Sequence, residues 1–165
     1  MLLNFFAKRK LRKQLSKYVT ADAVEAIVEG RLFDRSKIQL GWIEFIFVLI
    51  RAESPAQLSE RIGLVADAGI KHDAVVHDLI GPMVVMAFGT IRAAQHSTTS
   101  RTSLVSHLQE RFGNDIRIVH GATDGHFGLF GGDARFSFTF TFPRFDAALA
   151  TLGRLEFGQT EELRT

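Results

Sequence analysis

The chain has 165 residues, of which 46% are hydrophobic, and it contains no cysteine. This length can bury one substantial core, and the lack of cysteine excludes disulfide frameworks, zinc–thiolate sites and thiol nucleophiles. The net charge is only +2, and no apolar run reaches the roughly 18 to 20 residues of a transmembrane helix. We therefore expect a cytoplasmic protein.

The first 20 residues carry six basic side chains and no acidic one. Apolar residues recur among them at helical spacing, which predicts a basic N-terminal helix and linker over residues 1–30, before a domain at 31–165. The helix is either solvated with one core-facing stripe, or it contacts a partner or anionic lipid headgroups. The residues available for that contact are Lys8, Arg9, Lys10, Arg12 and Lys13. Nucleic-acid binding is not expected, because no basic stripe with interleaved aromatic residues follows.

The next elements are a strand and a helix. Residues 42–50 (WIEFIFVLI) are β-branched and aromatic with one charge, which is typical of a strand buried on both faces. Ser54, Pro55 and Gln57 then supply an N-cap, a proline at the first helical position and a capping-box residue. The helix is expected to end at Gly69.

Residues 74–89 predict two apolar strands that meet around Gly81 and Pro82. A polar stretch leads into a helix that is closed by Gly113, and a strand follows at 116–120. The five glycines of residues 121–132 predict tight turns around a further strand. Phenylalanine alternates with serine and threonine over 136–142, which predicts a strand with one apolar face. Pro143 opens the last helix. Strands interleaved with one-sided helices favour an α+β sandwich, in which helices cover one face of a mostly antiparallel sheet.

Residues 73–89 (DAVVHDLIGPMVVMAFG) resemble the bacterial motif GGxVxKFIGDxxMAxFG of class III adenylate and guanylate cyclase catalytic domains. The similarity extends to residues 10–27, 54–60 (SPAQLSE, similar to FTxLSE), 116–131 and 135–142. It thins after Leu155, where the family continues with further strands that this chain is expected to lack. The resemblance implies a ferredoxin-like cyclase-homology sandwich. It also implies a dimer, because the active sites of the family lie between two subunits.

The resemblance further implies a metal-dependent reaction whose residues this chain has replaced. The two metal-binding aspartates correspond to Leu49 and Pro82, and the purine-contacting lysine corresponds to Asp78. In the gapless register, the asparagine and arginine that act in the transition state correspond to Asp146 and Ala150. If the register shifts so that Arg154 matches the arginine, the asparagine corresponds to Ala150. Thr139 alone retains a residue that the family tolerates, at a purine-selecting position. Leucine and proline cannot ligate magnesium, whose ligands are hard oxygens.

These replacements predict a domain that is not an enzyme, binds no metal or other cofactor, and acts in dimerisation or regulation of a signalling partner. The partner would be a second copy or a genuine cyclase domain. Three alternatives remain open: a nucleotide-binding domain without turnover, an active cyclase with atypical residues, and an unrelated α+β interaction module. Histidine metal sites and carboxylate catalysis are disfavoured, since no helical pair of histidines occurs and most aspartates lie beside turn glycines.

Overall fold

The structure is a computed structural model, and it describes residues 8–9, 12–13, 24–25, 28–29, 38–90, 98–132 and 135–164. The predicted N-terminal segment, residues 1–30, therefore lies mostly outside the described residues.

The described elements alternate between strands and helices. In chain order they are β1 (Gln39–Ile50), α1 (Pro55–Lys71), β2 (Val75–Ile80), β3 (Met83–Phe88), α2 (Thr98–Phe112), a 3₁₀ turn (Gly113–Asp115), β4 (Ile116–Gly132), β5 (Arg135–Thr141), α3 (Phe145–Arg154) and β6 (Thr160–Leu163). The predicted hairpin at 74–89, the helix before Gly113 and the alternating strand near the C-terminus are confirmed.

The six described strands form one sheet in the order β2-β3-β1-β4-β5, and all neighbours on this path are antiparallel. The short strand β6 pairs in parallel with residues 118–121 of β4. This mixed but mostly antiparallel arrangement, with helices packed on it, confirms the expected α+β sandwich.

Helices cover both faces of the sheet and not one face, as the order of elements had predicted. Alternate residues of β1 point to opposite faces, so Ile46 and Val48 pack in one buried cluster with residues of α1 and α2. Phe45 and Phe47 pack in a second cluster with residues of β5 and α3. Phe142 stacks on Phe45 with ring centroids 4.4 Å apart. We refer to these as the first and second clusters.

Helix α1 begins as predicted but ends later. Ser54 Oγ accepts a hydrogen bond from the Gln57 backbone N–H at 3.2 Å, with Pro55 at the first helical position. The helix continues past Gly69 to Lys71. Gly69 is a packing position and not a helix end, because a Cβ there would meet the sulfur of Met86 on β3.

The prediction of turns at 121–132 was wrong, because β4 runs unbroken over 17 residues. Its glycines allow close approach of neighbouring chains. A Cβ at Gly125 would lie 2.6 Å from Ile43 Cδ1 and 2.7 Å from the Thr141 carbonyl oxygen. Two further differences concern the ends of the sheet: β1 starts at Gln39 with Trp42 54% exposed, and β6 forms after Leu155, where no strand was expected.

Candidate functional site

The end of β1 lies directly beside the β2–β3 turn. The Ile50 backbone N–H donates a hydrogen bond to the Pro82 carbonyl at 3.0 Å, and Leu49 lies opposite Met83 in the β1–β3 register. The fold thus brings together Leu49 and Pro82, the two positions that the resemblance assigns to metal-binding aspartates.

The surroundings of Leu49 are apolar. Leu49 is partly buried against the second cluster, as are Met83 of β3 and Phe145 and Leu149 of α3. These side chains offer hydrocarbon and one thioether, which are not ligands for a hard divalent cation. These side chains therefore form an apolar packing surface at the end of β1.

The loop between β1 and α1 uses much of its own hydrogen-bonding capacity. The Arg51 N–H donates to the Asp115 carbonyl at 2.7 Å, and the Glu53 N–H donates to Gln57 Oε1 at 2.7 Å. Pro55 has no N–H to offer. Few backbone donors of this loop remain for an anionic ligand.

Arginines surround this end of the sheet, and no sequence pattern predicted their contacts. The Arg61 guanidinium lies 2.7 Å from the Asp115 carboxylate. The guanidinium carbons of Arg51 and Arg117 lie 4.1 and 4.5 Å from the Phe157 ring centroid, within range of cation–π attraction. Arg117 also donates to the Gly153 carbonyl at 3.1 Å, at the end of α3. These contacts hold the segment that follows α3, which includes Phe157, against the end of β1.

The two positions that the resemblance assigns to purine contacts lie on strands that approach each other. Asp78 is half-buried on β2, just after a register shift, and Thr139 is half-buried on β5. Next to them, the rings of His77 and Phe140 meet edge to face with centroids 4.8 Å apart. His77 Nε2 also lies 3.0 Å from the hydroxyl of Thr90, which is buried. An imidazole–phenyl contact thus joins β2 and β5 at the residues that adjoin Asp78 and Thr139 in sequence.

The two transition-state positions lie on the exposed side of α3. Asp146 and Ala150 are exposed, whereas the residue before each, Phe145 and Leu149, packs against the second cluster. A carboxylate and a methyl group there provide no cationic donor for a phosphate.

The basic N-terminal residues are described in part. Lys8, Arg9 and Lys13 are exposed, and Lys10 lies outside the described residues. Arg12 makes a bidentate ion pair with Glu25, with N–O distances of 2.7 and 2.9 Å. The hydrogen bond to Glu25 raises the pKa of Arg12 above its usual value. Arg12 therefore has an intramolecular carboxylate partner.

A second charged group is buried between α2 and the sheet. Arg101 of α2 and Glu44 of β1 are each 4% exposed, with Arg101 Nε 3.6 Å from a Glu44 oxygen. Arg101 Nη2 donates to Glu162 of β6 at 2.7 Å. Half-buried His120 of β4 lies beside them, and burial followed by the charge of Arg101 lowers its pKa.

Across the described ranges, no three His, Asp or Glu side chains come close enough together to hold a metal ion. No helix in the described part of the chain is both long and apolar enough to cross a bilayer.

The fold is that of adenylyl and guanylyl cyclase catalytic domains. The adenylyl cyclase CyaB from P. aeruginosa superimposes with a TM-score of 0.58 at 15% identity, over 76% of this chain and 78% of that one. A bacterial light-regulated adenylyl cyclase gives 0.64 at 16%, over 96% of this chain and 53% of that one, so this chain spans about half of that protein. A dimeric guanylyl cyclase domain of the RhoGC fusion protein from the aquatic fungus Blastocladiella emersonii gives 0.61 at 10%, over 75% and 80%. No family model and no curated protein matches the sequence.

Proposed function

We propose that this cyclase-fold domain is catalytically silent and acts by pairing with a second copy or with an active cyclase domain. The observation that carries the proposal is the apolar packing at the end of β1. Leu49 and Pro82 are neighbours there, as two metal-binding carboxylates would have to be, but neither side chain can ligate a cation. Two-metal catalysis needs both ions to activate the attacking hydroxyl and to neutralise the phosphates. Loss of both metal-binding carboxylates should therefore abolish cyclisation and not merely slow it.

The exposed face of α3 supports the same conclusion. Asp146 and Ala150 replace the groups that would orient the ribose and stabilise charge in the transition state. A carboxylate at Asp146 would repel a triphosphate at close range. The residues that cyclisation would need are thus replaced on three separate elements: β1, the β2–β3 turn and α3.

Retention of the fold supports a role in assembly. The guanylyl cyclase domain of the RhoGC fusion protein forms a non-canonical dimer, and a chain with the same fold can pair as well. The basic residues Lys8 and Arg9 are exposed and would meet an acidic partner or the headgroups on the cytoplasmic side of a membrane. Arg12 contributes less, because Glu25 already neutralises it.

Incubation of the purified protein with ATP or GTP and Mg²⁺ or Mn²⁺ should yield no cyclic nucleotide, with an active adenylyl cyclase as the positive control. Measurable product that depends on protein concentration would show instead an active cyclase with atypical residues.

The assignment of Leu49 and Pro82 is tested by restoring carboxylates. The double variant Leu49→Asp/Pro82→Asp should bind Mn²⁺ in a calorimetric titration, because it places two carboxylates at the same end of the β1–β3 ladder, whereas the parent protein should not. Circular dichroism checks that the variant is folded. A folded variant without Mn²⁺ affinity would show that these positions do not form the metal site of the fold.

Pairing is tested by sedimentation velocity at several concentrations, alone and mixed with a cyclase domain from the same organism. A concentration-dependent dimer or a mixed complex is expected. A monomer under both conditions would remove the assembly role.

A second function, nucleotide binding without turnover, is favoured by one observation. Asp78 and Thr139 lie on the two strands, β2 and β5, that approach each other at the His77–Phe140 contact. Calorimetry with ATP and GTP, without metal, tests this function. No heat at millimolar nucleotide would exclude it, and binding that Thr139→Val weakens would support it.

A further inference from the structure

The packing of α1 against α2 brings together two histidines that are far apart in sequence. His72 is the C-cap residue of α1, and His107 lies in the second half of α2. Their ring centroids are 5.6 Å apart, with an angle of 46° between the ring planes. Helical spacing along the chain does not indicate this pair, because its two members come from different elements.

Both histidines lie on backbone that the rest of the fold holds in place. The His72 N–H donates to the carbonyls of Ala68 and Gly69 at 3.2 and 3.0 Å, and both of these residues are buried. Next to His107 in sequence, Leu108 is fully buried in the first cluster. The two side chains therefore start from fixed positions, which lowers the cost of ordering them around one ligand.

The distance between the two rings fits one metal ion bound to both. Zinc binds an imidazole nitrogen at about 2.0–2.1 Å, so two imidazoles on one tetrahedral ion have ring centroids roughly 5 Å apart. The observed 5.6 Å is close to this value, and His107 is exposed and free to rotate slightly. Imidazole nitrogen suits zinc, nickel and copper ions, whereas magnesium prefers oxygen ligands.

The surroundings of the pair are compatible with a cation that exchanges with solvent. His72 is half-buried and His107 is exposed, so water can reach the pair and complete the coordination. Among the described residues no third His, Asp or Glu lies close enough to add a ligand, and a site with two protein ligands binds reversibly. The charged residues that adjoin the pair in sequence are two bases and two acids, all exposed: Lys71, Arg111, Asp73 and Glu110. They carry no net charge that would repel a cation.

We propose that His72 and His107 form a two-histidine site for a divalent ion of the zinc and nickel type, which ties the end of α1 to α2. The two rings meet only when these helices are packed together, so the ion binds the folded state and stabilises it. Residues of both helices share the first cluster on one face of the sheet. The stability of this helical layer therefore depends on the concentration of free zinc.

The test is a calorimetric titration of the full chain with Zn²⁺, without a histidine tag, since a tag would itself bind the ion. One zinc ion per chain is expected, and Mg²⁺ should not replace it. Zn²⁺ should also raise the midpoint of thermal unfolding, as a ligand of the folded state does. Absence of zinc binding, or binding that leaves the unfolding midpoint unchanged, would overturn the proposal.

Three substitutions locate the ion. His72→Gln and His107→Gln should each weaken zinc binding by about 100-fold, because two ligands held together bind far more tightly than one. The double variant should bind about as weakly as either single variant. His126→Gln is the control: it removes an exposed histidine of β4 that shares a strand face with exposed Asp124, and it should leave the affinity unchanged. Full affinity in either single variant of the pair would refute the site.

Two measurements on the unaltered protein do not depend on the folding of any variant. Substoichiometric Cu²⁺ should broaden the ring NMR signals of His72 and His107 together, before those of the other histidines. Broadening that begins at another histidine would rule out the pair. In sedimentation velocity, Zn²⁺ should leave the ratio of monomer to dimer unchanged, because one chain supplies both ligands. A dimer that forms only with zinc would show ligation between copies and would overturn the proposal.

Discussion

At Gly125, in the middle of β4, neighbouring atoms leave no room for a side chain. Ile43 of β1 lies on one side, and the backbone carbonyl of Thr141 lies on the other. The carbonyl cannot move without disturbing the end of β5. By contrast, Gly63 on α1 is exposed, and a Cβ there would meet nothing within 4 Å.

Gly125→Ala should therefore lower the free energy of unfolding by about 1–3 kcal/mol, as overpacking of a filled core does. Gly63→Ala should raise it by about 0.5–1 kcal/mol, because alanine is the better helix former. Urea denaturation of the two variants measures both changes. Equal effects of the two substitutions would contradict the role assigned to Gly125.

At the scale of single elements, α1 shows how local chemistry fixes a helix start. Ser54 caps the Gln57 N–H, and the Gln57 side chain accepts from the Glu53 N–H. In the usual capping box the return bond goes to the cap residue itself, so here it is displaced by one residue. The start of the helix is thus fixed from both directions.

Ser54→Ala should destabilise the protein by about 1 kcal/mol, because the Gln57 N–H loses its acceptor. Ser59→Ala is the matched control: Ser59 is exposed inside the same helix, and alanine there should stabilise by a few tenths of a kcal/mol. Thermal unfolding of both variants compares them. A neutral Ser54→Ala would show that the cap contributes nothing.

At the scale of the whole molecule, Arg101 connects parts of the chain that are distant in sequence. It joins α2 to Glu44 on the central strand β1 and to Glu162 on the C-terminal strand β6. Burying a charge costs several kcal/mol unless an opposite charge compensates it. Arg101 and Glu44, which are both buried, therefore depend on each other, whereas the Glu162 side chain is 46% exposed.

Arg101→Met should lower the free energy of unfolding by roughly 3–5 kcal/mol, because the buried Glu44 loses its cation. The double variant Arg101→Met/Glu44→Leu should recover most of this loss, since it leaves apolar groups of similar volume. Chemical denaturation of the single and double variants gives the coupling. A double variant as unstable as the single one would mean that packing of Arg101, and not its charge, is what matters.

Much of the fold was predictable from residue patterns. The alternation of phenylalanines indicated β5, and Ser54-Pro55 indicated α1, because each signal depends only on nearby residues. Gly69 and the glycines of β4 were misinterpreted, because the same residue type serves for a turn and for close packing. Which role applies depends on Met86 and Thr141, neighbours that are far away in sequence.

The sequence by itself determined which side chains occupy the end of β1, the β2–β3 turn and the last helix, and so that Leu49 and Pro82 offer no metal ligand. Only the tertiary structure decided that these two residues are neighbours, that Leu49 packs beside Phe145 and Leu149, and that Arg101, His120 and Glu162 lie together. Residue identity sets the chemistry that a position can perform. Strand register and helix packing set which positions meet, because they join residues whose separation along the chain carries no local signal.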